Sequence, residues 1–218
     1  MSKQSAVSVP FGNLRRGVSA SRWLAVVGAV LAVSAAGRAG AASRVDDEAT
    51  TTWRQLTWDD FRGAAQQSAE TAGVSSTIVL EVPSMDVREL DDGTFAVRPQ
   101  DPQVYAVMNK VRSGVGPGGK SDEKLAHEQV HFDITEVHAR RLHAKMPSVE
   151  AVAPTRGEVL AVFTKAMRAL HAEANEALEE MQESYDLETK HGKRKKAQME
   201  WAEKVAGLLA AEEPYPLQ

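Results

Sequence analysis

The chain has 218 residues, 43% of them apolar and 26% charged, with no cysteine. Such a composition supports a packed core and excludes disulfides, and it leaves histidine and carboxylate side chains to hold any metal. The formal charge is −4; setting aside the five cations of residues 1–41 (Lys3, Arg15, Arg16, Arg22 and Arg38) takes the remainder to −9, which argues against a nucleic-acid partner.

Residues 1–22 are polar and basic, Trp23 to Ala36 is an uncharged run of 14 residues, and Ala39-Gly40-Ala41 offers a small-residue cleavage site. That order predicts a signal peptide over residues 1–41. The apolar run is shorter than the roughly 20 residues of a membrane helix, so no stable membrane span is expected after cleavage. The expected location is secreted or periplasmic. Arg15-Arg16 admits the twin-arginine route beside the general one. Residues 42–52 are polar and read as a tether, and residues 53–213 are expected to form one folded domain.

Within that domain Trp58-Asp59-Asp60-Phe61 predicts a short helical turn with an acidic start. Thr77–Val82 is rich in branched residues and predicts a strand. Met85–Leu90 and Thr94–Arg98 are weaker strands, and Asp91-Asp92-Gly93 between them is a hairpin signal. Val104–Val111 is a further candidate strand, and the glycine-rich stretch 113–121 is a loop. Three helices are expected next: Ser121 to about Lys145, Arg156 to about Ser184, and Lys193 to about Ala211. The fold class is therefore α+β, a small N-terminal antiparallel sheet followed by three long helices.

The first helix carries His127-Glu128-Gln129-Val130-His131, an H-E-x-x-H sequence. Helix positions i and i+4 differ by about 40° and rise about 6 Å, so both imidazoles can bind one zinc ion from one face. Glu128 is then the base that activates a zinc-bound water, in a zincin-like arrangement. Val130, Ile134 and Val137 form an apolar stripe that the two histidines border, which sets them at the edge of the core. His138 lies too far along the helix to share the ion. Together with His143 and His171 it reads as solvated helix surface.

The stretch Leu125 to Ile134, with His127-Glu128-Gln129-Val130-His131 at its centre, resembles the signature of the DUF922 family, bacterial proteins described as predicted secreted zinc-dependent proteases. Tyr185-Asp186-Leu187-Glu188-Thr189-Lys190-His191-Gly192 is similar to that family's Y-D-x-E-T-x-H-G pattern, and Gln198 and Trp201 match residues that follow it. Trp58, Asp60 and Phe61 match its opening. The resemblance runs from about residue 53 to 210. Val130 departs from it, because the family usually has glycine there. The resemblance implies a zinc-dependent protease and says little about substrate.

A catalytic zinc site takes three protein ligands and keeps an open position. Glu173, Glu176, Glu179 and Glu180 on the second helix are further candidates for the third ligand, although glutamates on a long helix usually form a solvated face. The segment Tyr185–Gly192 concentrates ligating side chains at a helix break, and His191 is the expected third ligand, with Asp186 and Glu188 as alternatives. Tyr185 is the expected donor to the oxyanion of a tetrahedral intermediate. Three functions are in view. The first is a secreted zinc metallopeptidase acting on a protein or peptide. The second is a zinc-stabilised, non-catalytic extracytoplasmic scaffold. The third is a metal-free interaction protein built on the long helices. Glu128 favours the first, since a purely structural site has no need of a base beside the metal.

Overall fold

The computed structural model describes residues 48–63 and 72–212. The expected signal peptide lies outside the described residues. Among the described residues, eight strands and three α-helices follow in chain order: β1 (Thr50–Thr52), β2 (Ala72–Gly73), β3 (Ser76–Glu81), β4 (Ser84–Glu89), β5 (Phe95–Gln100), β6 (Gln103–Asn109), β7 (Gly114–Val115), α1 (Asp122–Lys145), β8 (Ala151–Ala153), α2 (Arg156–Thr189) and α3 (Lys195–Ala211). The mixed helix and strand character agrees with the sequence. The strands, however, form three small antiparallel units rather than one sheet: β1-β6-β3, β4-β5-β8 and the pair β2-β7.

Strand β6 is the centre of the first sheet, and Val104 to Met108 are all buried. Beside it Ile78 and Leu80 of β3 alternate with less buried neighbours, as a strand with one covered face should. Strand β1 corrects the expected tether. Thr50–Thr52 pairs with Val107–Asn109, and Thr51 is buried. Strand β8 was also unforeseen, because three small residues give no periodic signal, yet they pair with Phe95–Val97 of β5. The β4–β5 hairpin turns at Asp91-Asp92-Gly93 as expected. Gly93 adopts φ 81°, and the Asp92 carboxylate accepts the Thr94 N–H at 2.9 Å.

Helix α1 is the central element, packed against β6 and β3 and against α2 and α3. Ser121 caps its N-terminus by accepting the Lys124 N–H, with Asp122 and Glu123 in the first turn and Lys145 in the last. The segment before β2 is pinned to it. Trp53 Nε1 donates to Asp133 at 2.8 Å, and Leu56 N donates to the Gln129 side chain at 2.7 Å. The Trp58–Asp60 turn is a 3₁₀ turn in which buried Asp60 accepts from Thr57 N and from both ends of the Arg54 guanidinium. Burial raises the Asp60 pKa, but the Arg54 and Thr57 hydrogen bonds outweigh it and hold the group below its ordinary value.

Two further expectations change because α1 and α2 are covered on several sides. His138 and His171, read from sequence as solvated, are each only 6% exposed. His171 Nε2 meets the Ile78 carbonyl at 2.9 Å, tying α2 to β3. The second helix is also longer than expected, running through Thr189 and taking in Tyr185 to Glu188.

Candidate metal centre

Helices α1 and α2 meet with opposed directions, so one-turn pairs on each helix face each other. His127 and His131 stand opposite Asp186 and Gln182. The His131 Nε2 atom is 3.0 Å from Asp186 Oδ1, the His127 Nε2 atom is 3.2 Å from the same oxygen, and the two nitrogens are 3.2 Å apart. The three atoms thus form a nearly equilateral triangle. Tetrahedral zinc with ligands at roughly 2.0–2.1 Å has ligand-to-ligand edges of about 3.3 Å. The triangle has the size of one face of that polyhedron, which leaves the fourth corner for water or substrate. Two imidazoles and a carboxylate also form a donor set suited to zinc. Among the described residues, His127, His131 and Asp186 are the group whose ligand atoms converge in this way.

The electrostatics match. Burial raises the Asp186 pKa, but hydrogen bonds from His127 and His131 and the charge of His131 outweigh it and keep the carboxylate ionised far below its usual range. Burial lowers the His131 pKa, yet the Asp186 hydrogen bond and the Glu128 charge overcome it, so the group is held above its ordinary value. The cluster therefore stabilises positive charge between the two helices.

Neighbouring side chains fix the rings. Gln182 takes His131 at both ends: its Oε1 faces the ring Nδ1, and its Nε2 donates to the His131 carbonyl at 2.8 Å. Gln182 was not anticipated; the available signal was its place one turn before Asp186 on the same helix face. The Tyr185 ring stacks on His127 with centroids 4.7 Å apart and meets His131 edge-on at 4.8 Å. Trp201 of α3 backs Tyr185 at 5.5 Å. Glu128 is buried, and its Oε2 accepts the Val74 N–H at 2.7 Å.

Of the expected site residues, the structure brings together His127 and His131; Glu128 lies near enough for its charge to act on His131, with its carboxylate bound to the Val74 N–H. His191 stands beside the cluster rather than in it. Its Nδ1 lies 3.2 Å from Asp186 Oδ1, but its side chain is 64% exposed and the converging third atom belongs to Asp186. The reason is the length of α2. Asp186 rides on the helix and faces α1, whereas His191 follows the helix end, where Lys190 and His191 adopt left-handed φ values of 50° and 52°. Tyr185, the expected oxyanion donor, is fully buried, and its hydroxyl donates to the His127 carbonyl at 3.3 Å. That contact ties the phenol to the backbone of α1. Glu188 accepts from Trp201 Nε1 at 2.8 Å, and Glu173, Glu176, Glu179 and Glu180 are exposed as expected.

Comparison of the chain with protein-family profiles, curated sequences and solved structures finds no match. The functional reading therefore rests on the site itself and on the motifs of the sequence.

Proposed function

We propose that the chain is an exported zinc-dependent hydrolase that cleaves peptide bonds, using α1 in a zincin-like manner. The observation that carries this reading is the convergence of His127 Nε2, His131 Nε2 and Asp186 Oδ1 within 3.2 Å of one another, with Glu128 adjacent in sequence to the first histidine. The resemblance of the two sequence motifs to the DUF922 family supports it. His127, His131 and Asp186 would hold the zinc, which when bound would supply a Lewis acid that acidifies water towards a pKa of about 7. Glu128 sits about 100° around the helix from His127, so it serves as base and not as ligand. The Val74 N–H fixes one oxygen of its carboxylate, which limits its rotation while it accepts and returns a proton.

Elemental analysis of the purified protein should find about one zinc per chain. Glu128→Gln should keep that zinc and lose at least about 100-fold in hydrolysis of a peptide library or unfolded protein. Unchanged hydrolysis in the variant would remove Glu128 from the mechanism, and a folded, metal-free protein in zinc-containing buffer would remove the site. Export is tested by the mass of the native N-terminus, expected near Ala42; a soluble cytoplasmic species retaining Met1 contradicts it.

A second reading, a zinc-stabilised scaffold without catalysis, draws on the same Glu128 contact, since a carboxylate bound to backbone also serves structure. It predicts that Glu128→Gln lowers thermal stability and that the wild-type protein hydrolyses nothing in the library.

A further inference from the structure

His131 has an amide partner at the nitrogen that faces away from Asp186. The corresponding atom of His127 does not: its Nδ1 is buried and has no hydrogen-bond partner, in a residue only 6% exposed. One other buried polar atom nearby is in the same condition, Oε1 of Gln198 on α3. Gln198 is anchored by its other end. Its Nε2 donates to the Glu123 carbonyl on the first turn of α1 at 3.0 Å, and this fixes the amide with Oε1 turned inward.

Both orphaned atoms border Gly192. A Cβ placed there would come within 3.0 Å of Gln198 Oε1, 3.3 Å of His127 Cγ and 3.4 Å of His127 Nδ1. Gly192 has φ 78°, so the backbone conformation and the space both require glycine. Tyr185 stacks on the face of His127, which leaves the ring edge carrying Nδ1 to meet whatever lies beside Gly192.

The chemistry defines what that edge needs. A histidine that ligates through Nε2 is neutral and carries its proton on Nδ1, and ligating histidines almost always donate that proton to a fixed acceptor. The geometry points to Gln198 as the positioning residue of His127. Its Oε1 accepts the Nδ1–H across one water in the space left by Gly192, the part that Gln182 plays directly for His131. This inference rests on the metal reading above. It gives α3, which contributes no ligand, a defined task at the centre.

The test compares zinc dissociation constants, by competition with a chelator, for the wild-type chain, Gln198→Met, Gln198→Glu and His127→Ala. Both Gln198 variants lose the bond to the Glu123 carbonyl, but only glutamate keeps an acceptor for Nδ1–H. Gln198→Met should weaken zinc binding by about 10–100-fold, and Gln198→Glu should stay within a few-fold of wild type. In the zinc-loaded proteins, ¹⁵N spectra should show the His127 Nδ1–H resonance shifted between wild type and Gln198→Glu, a response that a merely structural role for Gln198 would not produce. That comparison decides the matter if the methionine variant does not fold. Equal zinc affinity in Gln198→Met and wild type, with loss in His127→Ala, overturns the role of Gln198 and leaves the metal centre standing. Absence of zinc binding in the wild type overturns both.

Discussion

Replacing Asp186 with alanine is the sharpest perturbation of the proposed centre. Its Oδ1 is the shared vertex, 3.2 Å from His127 Nε2, 3.0 Å from His131 Nε2 and 3.2 Å from His191 Nδ1. The variant leaves two imidazoles on one helix and no anion between them. Loss of a residue that only supports a ligand costs about 10–100-fold in metal affinity, so loss of the ligand itself should cost more than about 100-fold, or about 2.7 kcal/mol. His191→Ala removes an exposed ring whose hydrogen bond to Asp186 water can replace, and should cost at most about tenfold. Asp186→Asn keeps the shape but not the charge and should fall between the two. Zinc competition titrations at neutral pH, with metal content checked on the recovered protein, give the ranking. If His191→Ala empties the site while Asp186→Ala holds zinc, the ligand set drawn from α2 is wrong and the expectation from sequence is restored.

Two further outcomes follow from the packing around the site. Tyr185→Phe removes one hydrogen bond to the His127 carbonyl and keeps the stacked ring. It should cost about 1 kcal/mol in urea unfolding and leave kcat on a peptide substrate unchanged, whereas a catalytic phenol would lower kcat sharply. His138 tests the interior of α1: burial, helped by the Arg141 charge and opposed by Glu212, pushes its pKa down to about 4. A histidine depressed in the folded state is protonated first in the unfolded chain, so stability is lost as pH falls from about 6.5 towards 4. The loss should be on the order of 1–3 kcal/mol after allowing for solvent screening, and His138→Leu should flatten that acid limb. A variant with the wild-type pH profile would show that His138 does not titrate as described.

The sequence by itself determined the elements whose signals are local. The one-turn spacing of His127 and His131, the Ser121 cap and the apolar stripe of Val130, Ile134 and Val137 specify α1 and the face of its histidine pair. The Asp91-Asp92-Gly93 turn specifies a hairpin in the same way. Only the tertiary structure decided which residue completes the triad. Periodicity did not reveal that α2 continues to Thr189, since the turn that stops it uses left-handed Lys190 and His191 ahead of Gly192. About five more helical residues carry Asp186 onto the α1 face and leave His191 beyond the helix end. The burial of His138 and His171 was equally illegible, because neither their neighbours in sequence nor their helical period records that α1 lies between a sheet and two helices. Contacts across 55 and 59 residues built the centre, and such contacts depend on where whole elements dock rather than on the propensities of the residues that make them.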